Sequence, residues 1–254
     1  MQRTRPGFNL SRLLVAAYEP IAMVLGLGFL ALLCALWSPI ALPLHLLLPK
    51  SIGQRFGRWA IHAGFRIYLG FLRLFCLCRF DLKEVEALRD EGSLVIVANH
   101  PSLLDAVIII ACLPNVACVM KSSLMDNPLL GAGARLAGYI RNDSLLSLVR
   151  QAKEQLHDGA QLLIFPEGTR TDSFPISPCT GSAGLIASRA KVPVQTLLID
   201  FSSPYLGKRW PLLRRPELPL SISAHIGQRF APPADAGAFA GELETYFRET
   251  LSAP

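Results

Sequence analysis

The pattern of hydrophobic and polar positions changes near residue 80 of the chain. From Pro20 to Pro49, thirty residues pass without a Lys, Arg, Asp or Glu. A straight helix of that length would span about 45 Å, more than the ~30 Å hydrocarbon core of a bilayer. Pro39 and Pro43 predict a break at Ser38-Pro39, because proline interrupts the helical hydrogen-bond pattern. The pattern therefore predicts two apolar helical legs, Ile21–Trp37 and Ile40–Leu48.

Basic residues flank this apolar segment on both sides. Three arginines precede it and six basic residues follow it: Arg3, Arg5 and Arg12, then Lys50, Arg55, Arg58, Arg66, Arg73 and Arg79. Positive charge tends to stay on the cytoplasmic side of a membrane. Because both flanks are positive, we expect both to lie on the same side of the membrane. The segment would then be a re-entrant, V-shaped helical pair that dips into one leaflet. The alternatives are a single span with the remaining chain on the far side and, less favoured, a cleaved signal peptide, which has a shorter apolar core and a small-residue cleavage site.

The segment Ser51–Arg79 has a helical pattern with basic and apolar sides. At about 100° per residue its basic side chains fall on one side, and its apolar side chains occupy much of the remaining circumference. This pattern predicts an interfacial helix whose basic stripe lies near lipid phosphates; the alternative is a helix with a solvated charged side. The stripe comprises Arg55, Arg58, His62, Arg66 and Arg73.

After residue 80 the pattern alternates between strands and helices. Strands are predicted at 94–98, 116–120, 161–165, 193–200 and 216–227, and helices at 103–111, 128–137, 144–157, 181–190 and 235–251. Strands separated by helices of this length are typical of βαβ units on a parallel sheet. We expect an α/β fold with a mostly parallel sheet flanked by helices and an N-terminal membrane-embedded helical anchor. The expected division is a membrane anchor and interfacial helix at 1–79 and an α/β domain at 80–254.

Composition and charge narrow the classes of partner. The chain is 51% hydrophobic and only 17% charged, with a mean hydropathy of +0.37, which excludes a disordered or collagen-like chain. The formal net charge of +6 favours nucleic acid or anionic lipid. Nucleic acid is disfavoured, because the basic stripe adjoins the apolar segment. Six cysteines without a CxxC pair are typical of buried free thiols in a reducing compartment.

Two candidate chemical motifs follow predicted strands. The first strand leads into Asn99, His100 and, five residues later, Asp105. A hydrogen bond between the last two would fix the imidazole tautomer and leave the other ring nitrogen free as a base. Because the pair comes without a Ser or Cys positioned as nucleophile, a substrate hydroxyl would take that role. On spacing alone, a structural His–Asp pair is the favoured alternative.

The third strand ends in the second motif, Phe165–Arg170. Its Pro-Glu-Gly sequence predicts a tight turn whose backbone N–H groups can face an anion, and Arg170 offers a forked donor for phosphate. The alternative is a plain turn with a solvated arginine. Lys121 and Arg135 are further candidates for a phosphate contact.

Together, the two motifs resemble those of the lysophospholipid acyltransferase family, over roughly residues 94–198. Asn99-His100 with Asp105 resembles the first block of that family and Phe165–Arg170 the third. Two further stretches carry the likeness: Gly138–Arg141 resembles the second block and Val192–Val194 the fourth. The resemblance implies that His100 is the general base and that Asp105 orients it. It further implies a substrate-binding set of Asn99, Arg141, Glu167, Gly168, Thr169 and Arg170.

The resemblance also implies the reaction and its setting. A fatty acyl group would move from acyl-CoA or acyl carrier protein to the hydroxyl of a lysolipid, foremost 1-acyl-glycerol-3-phosphate, to give phosphatidic acid. No metal, cofactor or covalent enzyme intermediate is expected. The bilayer would be a partner, and the setting would be a bacterial inner membrane with the catalytic domain on its cytoplasmic face.

One departure from the family pattern keeps alternatives open. The family often carries a lysine after its third block, but Ser177–Gly181 contains none. The acceptor could therefore lack a phosphate, as a lyso-ornithine lipid or a polyketide-like lipid does. Functions of another class are a membrane lipid hydrolase or a catalytically inactive lipid-binding protein.

Overall fold

The computed structural model describes residues 10–252, so that Arg3 and Arg5 lie outside the described residues. The apolar segment forms one helix, α1 (Leu10–Leu47), which contains Pro20, Pro39 and Pro43. The predicted break at Ser38-Pro39 is therefore wrong. Near Pro20, which has no N–H to donate, Arg215 Nη1 donates to the Ala16 carbonyl at 3.2 Å and compensates for the missing helical hydrogen bond.

The chain folds back at Leu48-Pro49 into a second long helix, α2 (Lys50–Phe75), which runs antiparallel to α1. The ring of Phe29 on α1 stacks on Phe71 of α2, with centroids 4.1 Å apart, and Trp37 lies beside Phe56 near the turn. The helical pair in the structure therefore consists of α1 and α2, and the V-shaped pair predicted from two legs within 20–49 is not formed.

The rest of the chain forms an α/β unit around a seven-stranded sheet. Its strands are β1 (Cys78–Asp81), β2 (Val95–Ala98), β3 (Val116–Met120), β4 (Ile140–Arg141), β5 (Gln161–Ile164), β6 (Val194–Phe201) and β7 (Leu220–Phe230). Its helices are α3 (Lys83–Ala87), α4 (Asp105–Cys112), α5 (Ser122–Met125), α6 (Gly131–Leu136), α7 (Leu145–His157), α8 (Ser182–Ala190) and α9 (Ala236–Leu251), with a 3-10 turn at Leu88–Asp90.

The strand order is β1-β7-β6-β2-β5-β3-β4, and every neighbouring pair is parallel except β6 with β7. The expected mostly parallel sheet is confirmed. The five predicted strands and the predicted helices are present with ends shifted by a few residues. The short strands β1 and β4 were not predicted: β4 has only two residues, and β1 (CRFD) lacks the apolar run that marks the four-residue strands β2 and β5.

Hydrophobic side chains cover both faces of the sheet. Buried residues of α2 and α4 pack on one face, and those of α7, α8 and α9 pack on the other. Two helix starts were correctly predicted from their capping residues: Ser144 Oγ accepts from Ser147 N, and the Asp235 carboxylate accepts from Gly237 N. The division into 1–79 and 80–254 stays a prediction. Strand β1 crosses that boundary, and residues from both parts contribute to the hydrophobic core that contains α2 and α4.

The basic stripe of α2 is split between two environments. Arg58 and His62 are buried against the α/β unit: Arg58 Nη1 donates to Gln155 Oε1, and His62 Nδ1 lies 2.9 Å from the Ile110 carbonyl oxygen. The expectation that the whole stripe lies near lipid phosphates is wrong for these two residues. Helical periodicity correctly placed Arg58 and His62 on the same side of α2, but it could not show that they pack against the α/β unit.

The outer side of α1 carries exposed apolar side chains along its whole length. We call this surface the apolar face of α1. Within the described residues, Arg12–Leu47 is the one helical stretch long and apolar enough to cross a membrane by length and composition. Exposed members of this face recur at intervals of about one or two helical turns, which keeps them on one side of the helix. They include Leu14, Ile21, Val24, Leu32, Leu36, Ile40 and Leu46.

Candidate active site

The structure brings His100 and Asp105 together at the carboxyl end of β2. The imidazole Nδ1 lies 2.8 Å from the carboxylate Oδ2 of Asp105, the first residue of α4. The same oxygen accepts the backbone N–H of Ser102 at 2.8 Å. A sharp turn between β2 and α4 thus folds the carboxylate back onto the imidazole, as the spacing of five residues allows.

The Asp105 carboxylate is fully buried. Loss of hydration raises its pKa from 3.8 to about 6, although the hydrogen bonds from His100 and Ser102 favour the charged form. Above that pH the carboxylate accepts the Nδ1–H of the imidazole and would stabilise an imidazolium. This pairing leaves Nε2 as the ring nitrogen that can accept a proton.

The imidazole of His100 is fixed by packing as well as by its hydrogen bond. Its ring stacks on Phe165, with centroids 3.9 Å apart and an angle of 15° between planes. Its side chain is 16% exposed, so a small part of it reaches the surface. Phe165 is the first residue after β5 and belongs to the second sequence motif. The two motifs are therefore in direct contact.

Glu167 connects the same two motifs through its carboxylate. The buried side chain accepts hydrogen bonds from His100 N at 3.1 Å, Thr171 Oγ1 at 2.7 Å and Ser177 N at 2.9 Å. A charged acceptor with three donors fixes the backbone on both sides of the site. Its expected contact with a substrate stays a prediction.

Asn99 uses its carboxamide to join β2 to β6. Nδ2 donates to the Ile199 carbonyl and Oδ1 accepts the Ile199 N–H, each at 2.8 Å. The side chain is buried and both of its polar atoms have backbone partners. This pair of bonds positions the residue immediately before His100, and the expected substrate contact of Asn99 stays a prediction.

The turn after β5 presents the remaining residues of the second motif. Gly168 has a φ of +65°, a conformation that glycine adopts without strain. Thr169 Oγ1 lies 3.4 Å from Lys121 Nζ, which follows β3. Arg170 Nη1 donates to the carbonyl oxygens of Leu206 and Gly207 at 2.9 and 2.8 Å. Arg170 thus holds a distant loop, and its expected contact with phosphate stays a prediction.

Arg141 lies at the end of β4, on the edge of the sheet. Its guanidinium pairs with the carboxylates of Asp126 and Asp143, the closest contacts being 2.5 Å to each. The hydrogen bonds that Arg141 donates to Asp126 and the negative charges of both carboxylates raise the pKa of Arg141 further above its ordinary value. Arg141 pairs in register with Met120 of β3, the residue before Lys121. Both basic residues are therefore located at the end of the sheet where the parallel strands finish.

The segment between β6 and β7 also contributes to the site, which the sequence patterns did not predict. Ser102 Oγ donates to the Tyr205 carbonyl at 2.9 Å, and Leu103 N donates to the Leu206 carbonyl at 3.2 Å. These contacts join residues about one hundred positions apart in the chain. Because they involve backbone carbonyls, no residue type marks them in the sequence.

Comparison with known proteins gives consistent matches. The family model Acyltransferase matches residues 79–200. A 1-acyl-sn-glycerol-3-phosphate acyltransferase of Helicobacter pylori is 32% identical over 135 residues, which are 49% of this chain and 57% of that protein. A lyso-ornithine lipid O-acyltransferase of Pseudomonas aeruginosa is 32% identical over 199 residues, 73% of this chain and 72% of that protein. Against several other curated relatives the match covers about half of their length.

A solved structure supports the architecture. The crystal structure of the 1-acyl-sn-glycerophosphate (LPA) acyltransferase PlsC from Thermotoga maritima superposes with a TM-score of 0.71. The match covers 93% of this chain and 96% of that chain at 17% sequence identity. The likeness therefore concerns the fold, and it extends over the helical pair as well as the sheet.

Proposed function

The chain belongs to the lysophospholipid acyltransferase family, and on this premise we propose that it transfers a fatty acyl group from a thioester to the hydroxyl of a lysolipid. The observation that carries the proposal is the 2.8 Å contact between His100 and Asp105, which leaves Nε2 of the imidazole as a base. Acyl-CoA or acyl carrier protein is the proposed donor. The first proposed acceptor is 1-acyl-glycerol-3-phosphate, the acceptor named in several relatives.

The proposed reaction needs a single proton-transfer group. His100 Nε2 removes the proton of the acceptor hydroxyl while the oxygen attacks the thioester carbonyl carbon. The carbon–sulfur bond then breaks, the ester remains, and the imidazolium returns the proton to the leaving thiolate. Asp105 stabilises the imidazolium, because its carboxylate is held against Nδ1.

Basic side chains at the carboxyl edge of the sheet support a phosphate-bearing acceptor. Lys121 lies beside Thr169, and Arg141 lies at the end of the neighbouring strand. A phosphate would compete with Asp126 and Asp143 for the guanidinium of Arg141. Arg170 holds the loop at Leu206 and, through its remaining N–H groups, is the third proposed phosphate contact.

A lyso-ornithine lipid is the second proposed acceptor. Two observations favour it: Ser177–Gly181 lacks the lysine of the family pattern, and two lyso-ornithine lipid O-acyltransferases are among the relatives. Both acceptors offer a hydroxyl to the same base. The chemistry at His100 would be unchanged, and only the contacts of the head group would differ.

We propose that the apolar face of α1 lies in one leaflet of the membrane. A helix of 38 residues is about 57 Å long, nearly twice the hydrocarbon thickness. Both ends of the helical pair contact the α/β unit, through Lys50 with Glu154 at the turn and through Arg215 with Ala16 at the open end. A perpendicular orientation would draw this polar unit into hydrocarbon, which is costly. The proposed location is the cytoplasmic face of a bacterial inner membrane, in keeping with the bacterial relatives.

The test offers the purified full chain acyl-CoA or acyl carrier protein together with a panel of lysolipids. We expect release of the thiol only when a lysolipid is present, and mass spectrometry should detect the acylated lipid. Phosphatidic acid as product supports the first acceptor, and an acylated ornithine lipid supports the second. Thiol release with free fatty acid and no acceptor would instead identify a hydrolase, and no release with any acceptor would contradict an active enzyme.

A matched pair of histidine variants sharpens this test. His100→Ala should abolish thiol release. His225→Ala removes an imidazole that also contacts a carboxylate, Glu84 Oε1 at 2.9 Å, but in an exposed position on β7 away from the motifs. It should keep wild-type activity. Wild-type activity in both variants would refute the role of His100.

A further inference from the structure

We propose that the segment between β6 and β7, residues 203–219, is a second membrane-contact surface that binds the head groups of anionic lipids beside α1. We call it the 203–219 segment. This inference rests on the proposed function at a membrane, and extends it to a surface outside the helical pair and the catalytic motifs. The proposed partner is the bilayer itself.

The chemistry of the segment suits the boundary between hydrocarbon and head groups. Leu212 and Leu213 are 57% and 80% exposed, and two arginines follow them directly. Exposed leucines beside arginines are typical of membrane-surface segments, because the apolar side chains enter the acyl region while the guanidinium groups stay among phosphates. The segment carries four basic residues and one acidic residue: Lys208, Arg209, Arg214, Arg215 and Glu217.

Contacts with α1 place this segment beside the apolar face. Arg215 Nη1 donates to the Ala16 carbonyl and lies 3.4 Å from the carboxylate of Glu19. Leu218 N donates to the same carboxylate at 3.4 Å. Ala16 and Glu19 lie in the first turns of α1, within a turn or two along the helix axis of the exposed Leu14 and Ile21 of the apolar face. Leu212 and Leu213, three and two residues before Arg215, therefore lie near the start of α1, and in this proposal they extend its apolar face.

Other contacts connect the segment to the catalytic turn. The carbonyls of Tyr205 and Leu206 accept hydrogen bonds from Ser102 and Leu103, within the turn between His100 and Asp105. Arg170 donates to the carbonyls of Leu206 and Gly207 in the same segment. A lipid-bound 203–219 segment would therefore hold the imidazole close to the membrane surface, where the hydroxyl of a lysolipid lies.

The bilayer fits this surface better than an acidic carrier protein does. Lys208 and Arg209 both pair with Asp172, at 3.6 and 3.1 Å, so their charges do not decide between these two anionic partners. Arg214 lies over the ring of Trp210, 4.2 Å from its centroid. An indole stacked with an arginine is amphipathic and common at membrane interfaces. The exposed leucines give the remaining contact area an apolar character.

The experiment measures membrane depth at one residue of the full chain reconstituted in lipid vesicles. Leu213→Cys is labelled with an environment-sensitive fluorophore, in a chain whose partly exposed cysteines Cys34 and Cys179 are replaced by alanine. The control label is placed at Glu242→Cys, an exposed position on α9, which packs on the opposite face of the sheet. The vesicles contain phosphatidylcholine with or without phosphatidylglycerol, and a fraction of nitroxide-labelled lipid serves as quencher.

Nitroxide lipid should quench the label at 213 and leave the label at 242 unquenched. Phosphatidylglycerol should increase the quenching at 213, and Arg214→Gln should reduce that increase. Equal exposure of both labels to aqueous iodide, with no quenching by lipid, would overturn the proposal. Protection of position 213 by acyl carrier protein, but not by vesicles, would overturn it in favour of a protein partner. The labels report binding without catalysis, so an inactive wild type with quenching at 213 would refute the proposed reaction alone.

Discussion

The carboxylate of Glu167 accepts the backbone N–H of His100 at 3.1 Å, across 67 residues of sequence. This bond fixes the peptide that carries the proposed base, in addition to the contact of its ring with Asp105. The same carboxylate holds Thr171 and Ser177, so the turn after β5 and the end of β2 form one rigid unit. The acidic residue of the second motif therefore positions the histidine of the first.

Replacing Glu167 with glutamine should lower both stability and turnover. Glutamine keeps the volume but substitutes a donor for one acceptor, so at least one backbone N–H loses its partner in a buried place. Leaving a buried polar group without a partner costs about 1–3 kcal/mol. Thermal unfolding and kcat should both decrease. Glu242→Gln, an exposed change on α9, is the control; wild-type values for Glu167→Gln would contradict this role.

Asp105→Asn should reduce kcat with little effect on the KM for either substrate. An amide can hold the imidazole in place, but it cannot stabilise the imidazolium, and it can fix the wrong tautomer. General base catalysis contributes about 10²–10⁴-fold, which bounds the expected loss. Steady-state kinetics measures it, with circular dichroism as a check on folding. Turnover equal to that of the wild type would show that the carboxylate only supports the turn.

The pH–rate profile should show an acid limb near pH 6. Burial raises the pKa of Asp105 to about 6, so below that pH the carboxyl holds a proton and cannot accept the Nδ1–H of His100. The rate should therefore rise with pH through this range. In Asp105→Asn the part of the limb that depends on this carboxyl should disappear. An identical limb in the variant would assign it to another group.

Folding stability should respond to the same titration with the opposite sign. Between its ordinary pKa of 3.8 and about 6, the native state keeps a proton that the unfolded chain releases. The contribution of Asp105 to stability is therefore greatest below pH 4 and decreases as the pH rises to 6. Denaturant unfolding of wild type and Asp105→Asn at both pH values isolates this contribution. A difference between the two proteins that does not change with pH would contradict it.

The ion pairs of Arg141 predict opposite effects for two substitutions. Arg141→Gln should raise the KM of a phosphate-bearing acceptor, since it removes a proposed phosphate contact. Asp126→Asn should lower that KM, because it removes a carboxylate that competes for the same guanidinium. Neither change should alter kcat greatly. Initial-rate kinetics with 1-acyl-glycerol-3-phosphate checks both, and a parallel increase of KM would indicate that the pair is needed intact.

Arg170→Ala should loosen the 203–219 segment as well as weaken acceptor binding. The guanidinium holds two carbonyls of that segment, at Leu206 and Gly207, and alanine leaves both without this donor. Limited proteolysis should cut the variant faster between residues 207 and 215, and the KM of the acceptor should rise. Arg189→Gln on α8 is the control. Unchanged cleavage together with a raised KM would leave phosphate binding as the sole role.

Local sequence patterns gave correct predictions where the contact itself joins residues that are close in the chain. The caps at Ser144 and Asp235 were correctly predicted, because a side chain there meets backbone groups two or three residues away. The His100–Asp105 contact spans five residues and one turn, which spacing can anticipate. By contrast, Pro39 did not end α1, since packing against α2 and α6 supports a helix that local rules would interrupt.

By itself the sequence determined the alternation of strands and helices, the apolar character of α1 and the two motifs, since each is a property of neighbouring residues. Only the tertiary structure decided which side of α2 is buried, what Arg170 and Glu167 hold, and that the 203–219 segment joins α1 to the catalytic turn. Those contacts link positions up to 199 residues apart and often end on backbone carbonyls. A carbonyl is the same at every residue, so its partner is set by the fold rather than by the residue type.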